Sequence, residues 1–141
     1  GEMAGKVLPE AFTCFTLNLD NLSELTKRFG YTVGDGVLKD FAGLVQLMGD
    51  TEGMRGYNGI GRFVVFFEEC SSKKAAAMIR ILDNQVEEYN SLNPEYPIRY
   101  TAAWATTEET DTYEIRELLR LSQKKWKQME KEKKDKTEEE T

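Results

Sequence analysis

Histidine is absent from the 141 residues. The commonest general base near neutral pH and the commonest transition-metal ligand are thereby excluded, so any chemistry would have to run on carboxylates, hydroxyls or a bound metal. Cysteine occurs twice, as Cys14 and Cys70, each in an apolar context and without metal-ligand spacing. Both are expected as reduced core or edge thiols, which argues against a disulfide scaffold and for a cytoplasmic setting. A surplus of positive charge is missing too. The 19 Lys and Arg residues are outnumbered by 25 Asp and Glu, leaving a net charge of −6. Nothing electrostatic therefore favours nucleic acid or an anionic membrane as partner. No apolar run approaches the ~20 residues of a membrane span, and no signal peptide is read at the start. What is present, 40% hydrophobic and 11% aromatic residues over this length, suits one domain with one core.

Residues 1–10 carry no periodicity and read as a linker or appended end. Phe12, Cys14, Phe15, Leu17 and Leu19 follow as a run apolar on both faces, the pattern of a central strand. Leu22, Leu25 and Phe29 then recur at helical spacing until Gly30. Gly34-Asp35 restarts a helix with Val37, Leu38, Phe41, Leu44, Val45 and Met48 on one face. The region from Gly49 to Gly56 is rich in turn formers, and Asn58-Gly59 is the strongest hairpin signal, since a primed two-residue turn needs positive φ at both positions. Phe63 to Phe67 is the clearest strand, apolar throughout and expected buried on both faces. Ser71 or Ser72 can cap the next helix, which places Ala75, Ile79, Leu82, Val86 and Tyr89 on one face. Pro94 and Pro97 punctuate a loop, and residues Ile98 to Thr106 form another strand. Asp111 with Glu114 resembles a capping box for a last helix that turns Ile115, Leu118, Ser122, Trp126 and Met129 inward. The order predicts an α+β fold with a ferredoxin-like βαββαβ core, a central antiparallel sheet flanked by helices. The domain is expected over residues 11–132, with 133–141 a charged tail that frays from the last helix into disorder.

Three stretches in this order resemble the GGDEF family of the diguanylate cyclase superfamily. Leu17-Asn18-Leu19-Asp20-Asn21-Leu22 is similar to that family's strand-ending Asp-x-Asp-x-Phe. Phe29 to Leu38, with Gly34-Asp35 and Leu38, is similar to its Tyr-Gly-His-x-x-Gly-Asp-x-x-Leu. In Tyr57 to Phe67 the signature Gly-Gly-Asp-Glu-Phe would be read as Gly59-Ile60-Gly61-Arg62-Phe63. Thr101-Ala102-Ala103-Trp104-Ala105 and the final helix are weaker echoes, and the likeness spans about residues 11 to 130.

The resemblance implies an activity that joins two GTP molecules into cyclic di-GMP on divalent metal held by carboxylates, the oxygen donors a hard cation takes. At the two metal-binding positions stand Asn18, which keeps a carbonyl oxygen but no charge, and Arg62, which reverses the sign. Unit charges ~4 Å apart interact by about 4 kcal/mol at an effective dielectric of ~20, so a cation facing a dication costs several kcal/mol. The magnesium site is expected to be lost, with no other cofactor. Gly61 replaces the signature Asp, and Ile60 puts a branched side chain where glycine would let substrate approach the backbone. The guanine-reading Asn matches Thr26, while its partner Asp persists as Asp35. The late phosphate-steadying Lys falls at Glu130, and the feedback Arg-x-x-Asp is replaced by Asp50-Thr51-Glu52-Gly53.

Each retained residue has a plainer reading. Asp35 suits a helix N-terminus, Asp20 can cap the short helix that follows it, Arg62 can be a solvated strand charge, and lysines 124–136 can line a solvated helix face. Trp104 and Trp126 read as core or interface aromatics. Against these, Asn21, Leu22 and Ser23 open a helix whose amides could still cradle phosphate, and Arg62 could hold one through its guanidinium fork. The expectation is a non-catalytic signalling domain, cytoplasmic, working with other domains of a larger protein or with a protein partner, a homodimer being open. The alternative is a metal-independent sensor of GTP or a related guanine nucleotide. An active cyclase and an unrelated ferredoxin-like ligand module are the weaker competitors.

Overall fold

The computed structural model describes residues 11–48, 54–57, 60–110 and 114–140, with backbone alone at 54–57, 139 and 140. Strand β1 (Thr13–Leu19) lies inside the sheet, and all its residues except Asn18 are buried. It pairs antiparallel with β3 (Arg62–Phe67) on one side and β4 (Tyr100–Thr106) on the other. Strand β2 (Met54–Tyr57) adds to β3, giving the order β2-β3-β1-β4. Helices α1 (Leu22–Phe29) and α2 (Tyr31–Gln46) follow β1, α3 (Ser72–Leu92) joins β3 to β4, and α4 (Ile115–Glu140) follows a short 3-10 turn at Thr107–Glu109. This is the ferredoxin-like α+β arrangement expected from the element order, with a second helix in the first crossover and a terminal helix added.

Side chains alternate across a strand, so the sheet has two unlike faces. On one, Phe15, Leu17 and Leu19 meet Phe63, Val65, Leu25, Phe41, Val45, Leu82 and Val86 in the main core. On the other, Cys14 and Ala105 pack with Leu118 of α4. The register puts Thr16 opposite Val64 and Ala103, and Asn18 opposite Arg62 and Thr101, in that same row. There α4 docks partly through hydroxyls: Thr16 Oγ1 and Ser122 Oγ are 2.8 Å apart, and both residues are fully buried. At α3, Ser71 is the cap, accepting the Lys74 amide at 3.1 Å.

Several expectations are corrected. Helix α2 begins at Tyr31 rather than at Gly34-Asp35, because Gly30, at φ 96°, reverses the chain at once and its carbonyl already accepts the Gly34 amide at 3.2 Å. Strand β4 starts at Tyr100 rather than Ile98. The amides of Ile98 and Arg99 are taken by the side chains of Asn90 and Asn21, at 2.7 and 3.2 Å, so side-chain acceptors replace a ladder there. On β3, Val64 and Phe66 are only half-buried, since they face α4 and not the main core. Ile115 stands 55% exposed in the first turn of α4, and Met129 37% exposed where the helix passes the polar end of the sheet. Residues 133–140 continue α4 instead of forming a disordered tail. Lys134 pairs with Glu130 one turn back at 3.7 Å, and Lys133 reaches the sheet. The expected turn at Asn58-Gly59, the segment Asp50 to Gly53, residues 1–10 and Asp111 lie outside the described residues. Glu114 directly precedes α4, and its carbonyl accepts the Leu118 amide at 3.2 Å.

Candidate functional site

The polar end of the α4-facing row is where the sequence placed its altered site. Asn18 and Arg62 are direct cross-strand partners on β1 and β3, so the two positions of interest are brought together. Their chemistry is turned elsewhere. The Asn18 amide donates to Asp20 Oδ1 at 2.9 Å. The Arg62 guanidinium lies over the Trp126 indole, 4.2 Å from the ring centroid, instead of standing in solvent. Asp20 does not cap α1; its Oδ2 accepts the Thr101 hydroxyl at 2.6 Å. Asn21 holds the N-cap position without a side-chain cap bond. From α4, Lys133 Nζ donates to Thr101 Oγ1 at 2.7 Å and to the Tyr100 carbonyl at 2.9 Å, and lies 4.0 Å from Asp20 Oδ2. A cleft of ≈ 490 Å³ opens here, lined by Asn18, Asp20, Thr101, Glu130, Lys133 and Lys134, with Thr137 and Glu138 at its rim.

These residues do not fit a divalent metal. A hard dication needs several anionic or carbonyl oxygens converging at 2.0–2.6 Å. Here Asp20, the carboxylate at the sheet end, is already engaged by an amide and a hydroxyl with an ammonium nearby, Glu130 on α4 pairs with Lys134 at 3.7 Å, and the facing strand offers a guanidinium. Among the described residues no group of three or more Asp, Glu, Cys or His side chains converges as a metal site.

The nucleotide-binding candidates divide. Asn21 is buried and clamps the loop before β4, donating to the Pro97 carbonyl at 2.7 Å and accepting the Arg99 amide at 3.2 Å. Leu22 is half-buried and packs against the main core, while Ser23 at the start of α1 is exposed. The Thr26 hydroxyl donates to the Leu22 carbonyl at 2.9 Å and sits under Gly34, so it is committed to the contact between α1 and α2. Asp35, in the second turn of α2, pairs with Lys39 at 3.0 Å along the helix. Gly61 has φ 90°, and its carbonyl accepts the Leu19 amide at 2.7 Å. A side chain there would press on Leu22 Cδ2 and Leu19 at 3.3 to 3.5 Å, so the hairpin leans on the loop that follows β1. Ile60 projects outward, 71% exposed.

Both cysteines are free and buried. Burial pushes the Cys14 thiol up to about 11, the Ser122 hydroxyl bond working the other way, and burial likewise raises Cys70. The Tyr100 phenol donates to Asp83 and the Tyr89 phenol to Asp40; burial first, then the carboxylate, drives both phenol pKa values upward. Trp126 is buried and Trp104 half-buried against Phe15, as expected of core aromatics.

Thr101 and Lys133 are site residues that sequence reasoning did not single out. Lys133 reads as one of many solvated lysines, yet it lies three residues beyond Glu130, one helical turn along the same face. That phase was a usable signal. Lys125 likewise departs from a purely solvated face, reaching the Trp104 carbonyl at 3.1 Å and Glu109.

A family model described as "Diguanylate cyclase, GGDEF domain" matches residues 4–136. Among solved structures, the active GGEEF domain of a diguanylate cyclase from Vibrio cholerae superposes with a TM-score of 0.74 at 18% identity, over 87% of this chain and 78% of that one. An EAL/GGDEF domain protein from M. capsulatus gives 0.67 at 15% identity, over 87% and 80%. The GGDEF domain of DgcB from Caulobacter crescentus, in complex with c-di-GMP, gives 0.57 at 15% identity, over 68% and 59%. No curated protein matches this chain.

Proposed function

The chain belongs to the GGDEF domain family of the diguanylate cyclases, and on that premise we propose that it is a member without cyclase activity, serving as a regulatory or protein-interaction domain within a larger cytoplasmic signalling protein. One observation carries the reading. Asn18 and Arg62 face each other across β1 and β3, and the guanidinium is stacked on Trp126. Phosphoryl transfer between nucleotides depends on cations that neutralise the triphosphate and activate the attacking hydroxyl. A site whose sheet-end carboxylate is already engaged, with Arg62 and Lys133 held beside it, would repel the metal that the family's chemistry needs. With the Thr26 hydroxyl bonded inside its own helix, the guanine contact that the resemblance implies is weakened as well. No described helix is long and apolar enough to cross a membrane.

The second reading, a guanine-nucleotide sensor that needs no metal, draws support from the 490 Å³ cleft and its two lysines, Lys133 and Lys134, next to the loop before α1. Incubation of the purified protein with GTP and either magnesium or manganese tests the first reading, which expects no cyclic di-GMP; product formed in proportion to enzyme would refute it. Calorimetric titration with GTP then separates the two. No heat up to high micromolar nucleotide supports the interaction domain, and equal binding with and without magnesium supports the sensor.

A further inference from the structure

At the sheet end of the cleft the hydrogen bonds run in one direction. Lys133 Nζ donates to Thr101 Oγ1 at 2.7 Å. Thr101 has a single hydroxyl hydrogen, and it goes to Asp20 Oδ2 at 2.6 Å. The other carboxylate oxygen accepts the Asn18 amide at 2.9 Å. A second Lys133 hydrogen goes to the Tyr100 carbonyl at 2.9 Å, and the ammonium stands 4.0 Å from Asp20 Oδ2. One ammonium thus faces a carbonyl, a hydroxyl and a carboxylate, the kinds of oxygen that surround a bound cation. Thr101 is 1% exposed, so its hydroxyl can neither accept nor donate freely to water.

The helix that carries this ammonium is docked in register with the strand it touches. Lys125 reaches the Trp104 carbonyl and Lys133 the Tyr100 carbonyl, so α4 runs opposite to β4. Eight helical residues rise ~12 Å, and four strand residues span ~13 Å. The two lysines therefore match two carbonyls on the same side of β4, each with a carboxylate alongside, Glu109 for Lys125 and Asp20 for Lys133.

We propose that Lys133 is a tethered counter-ion for Asp20 and that the last turns of α4 are a latch across the cleft, closed by this ammonium. The proposal rests on the reading of a metal-free site and extends it: the charge left on Asp20 is balanced from within the chain, and anything that takes the Thr101 and Asp20 oxygens must first displace Lys133. Occupation of the cleft and release of residues 133–140 are then a single linked equilibrium.

Amide hydrogen exchange of the 130–140 segment tests this without any nucleotide. Lys133→Met keeps the side chain's length and helix propensity but removes the charge and the donors. It should speed exchange there by about fivefold, the size expected for partly exposed charged hydrogen bonds. Lys134→Met, on the same cleft, loses only its exposed pair with Glu130 and should speed exchange by no more than about twofold. Asp20→Asn should act in the same direction as Lys133→Met, and the double variant should exchange no faster than the faster single one, because both remove one shared interaction. Wild-type exchange in Lys133→Met, equal acceleration by Lys134→Met, or additive effects in the double variant would each overturn the latch. Cyclic di-GMP production by the wild type would instead overturn the metal-free reading and leave these exchange rates as measured, so the two failures are distinguishable.

Discussion

Gly34→Ala isolates the contact that ties up Thr26. An added Cβ would lie 2.3 Å from Thr26 Oγ1, 3.4 Å from Thr26 Cβ and 3.5 Å from Leu22 Cδ1. The hydroxyl cannot rotate away freely, because it donates to the Leu22 carbonyl at 2.9 Å. Overpacking of this kind costs about 1–3 kcal/mol, and loss of the back-bond about 0.5–1.5 kcal/mol. Against this, alanine replaces glycine inside a helix, a gain of about 1 kcal/mol. The net expectation is destabilisation by about 0.5–3.5 kcal/mol. Gly43→Ala, on the same helix with nothing within 4 Å of its added Cβ, should show the gain alone. Urea unfolding followed by tryptophan fluorescence measures both, at unchanged m-value. Thr26→Ala combined with Gly34→Ala removes the obstruction, so the double variant should recover at least ~1 kcal/mol over Gly34→Ala. A Gly34→Ala protein as stable as the wild type, or strict additivity with Thr26→Ala, would show that the helices do not meet there as tightly as stated. The position would then be open for Thr26 to turn toward a ligand.

Asn21→Ala should cost about 1–3 kcal/mol in the same unfolding assay, because it orphans the Pro97 carbonyl and the Arg99 amide together. Faster amide exchange confined to residues 97–99 would mark the mechanism. Gly61→Ala should destabilise by about 1–3 kcal/mol, since φ 90° is strained for any side chain and the new Cβ crowds Leu19 and Leu22. A neutral result in thermal unfolding would contradict it. At alkaline pH the buried Cys14 thiol, pushed up from 9.0 to about 11, favours the folded state while it stays protonated. That stability is complete below pH 9 and disappears as pH rises to about 11, a decline of about 3 kcal/mol at about 1.4 kcal/mol per unit. The phenols of Tyr89 and Tyr100 shift in the same direction and add to the decline. Urea midpoints from pH 8 to 11 should fall accordingly, and Cys14→Ala should remove part of the slope; a flat profile would refute it.

The order of elements was legible because period and punctuation agree along most of the chain. β1 and β3 read as apolar runs, α1 ends at Gly30, and α3 starts at Ser71 as a capping serine should. Two of the misreadings fall where a side chain does what backbone pattern assigns to the main chain. Ile98 and Arg99 look like strand, but Asn90 and Asn21 take their amides. The Lys/Glu stretch after residue 132 looks like a disordered tail, but Lys133 is tied to β4. Gly34 suggested a helix start by residue type, whereas its use is close approach to Thr26, a tertiary fact that no local window contains. For the site, the juxtaposition of Asn18 and Arg62 was readable only through the resemblance. The stacking of Arg62 on Trp126 was not readable at all, since it depends on how far α4 slides along the sheet.

Strand parity explains how such a site could change while the fold stayed. Phe15, Leu17 and Leu19 on β1, with Phe63 and Val65 on β3, all point into the main core. Asn18 and Arg62 belong to the alternate set that faces α4, together with Thr16, Thr101 and Cys14. A substitution at 18 or 62 therefore leaves the main core's packing intact, whereas the same change one residue along would bury a charge in it at a cost of several kcal/mol. The face that carries Asn18 and Arg62 is held to α4 by hydroxyls and lysine tips as well as by the apolar cluster around Leu118. It could accept a guanidinium if an aromatic lay within reach, and Trp126 supplies one. Asp20 has a cation from within the chain beside it, Lys133 at 4.0 Å. Reversing only Arg62 or only Asn18 would consequently leave Lys133 in place, so recovery of metal binding should require changes on α4 as well as on the sheet.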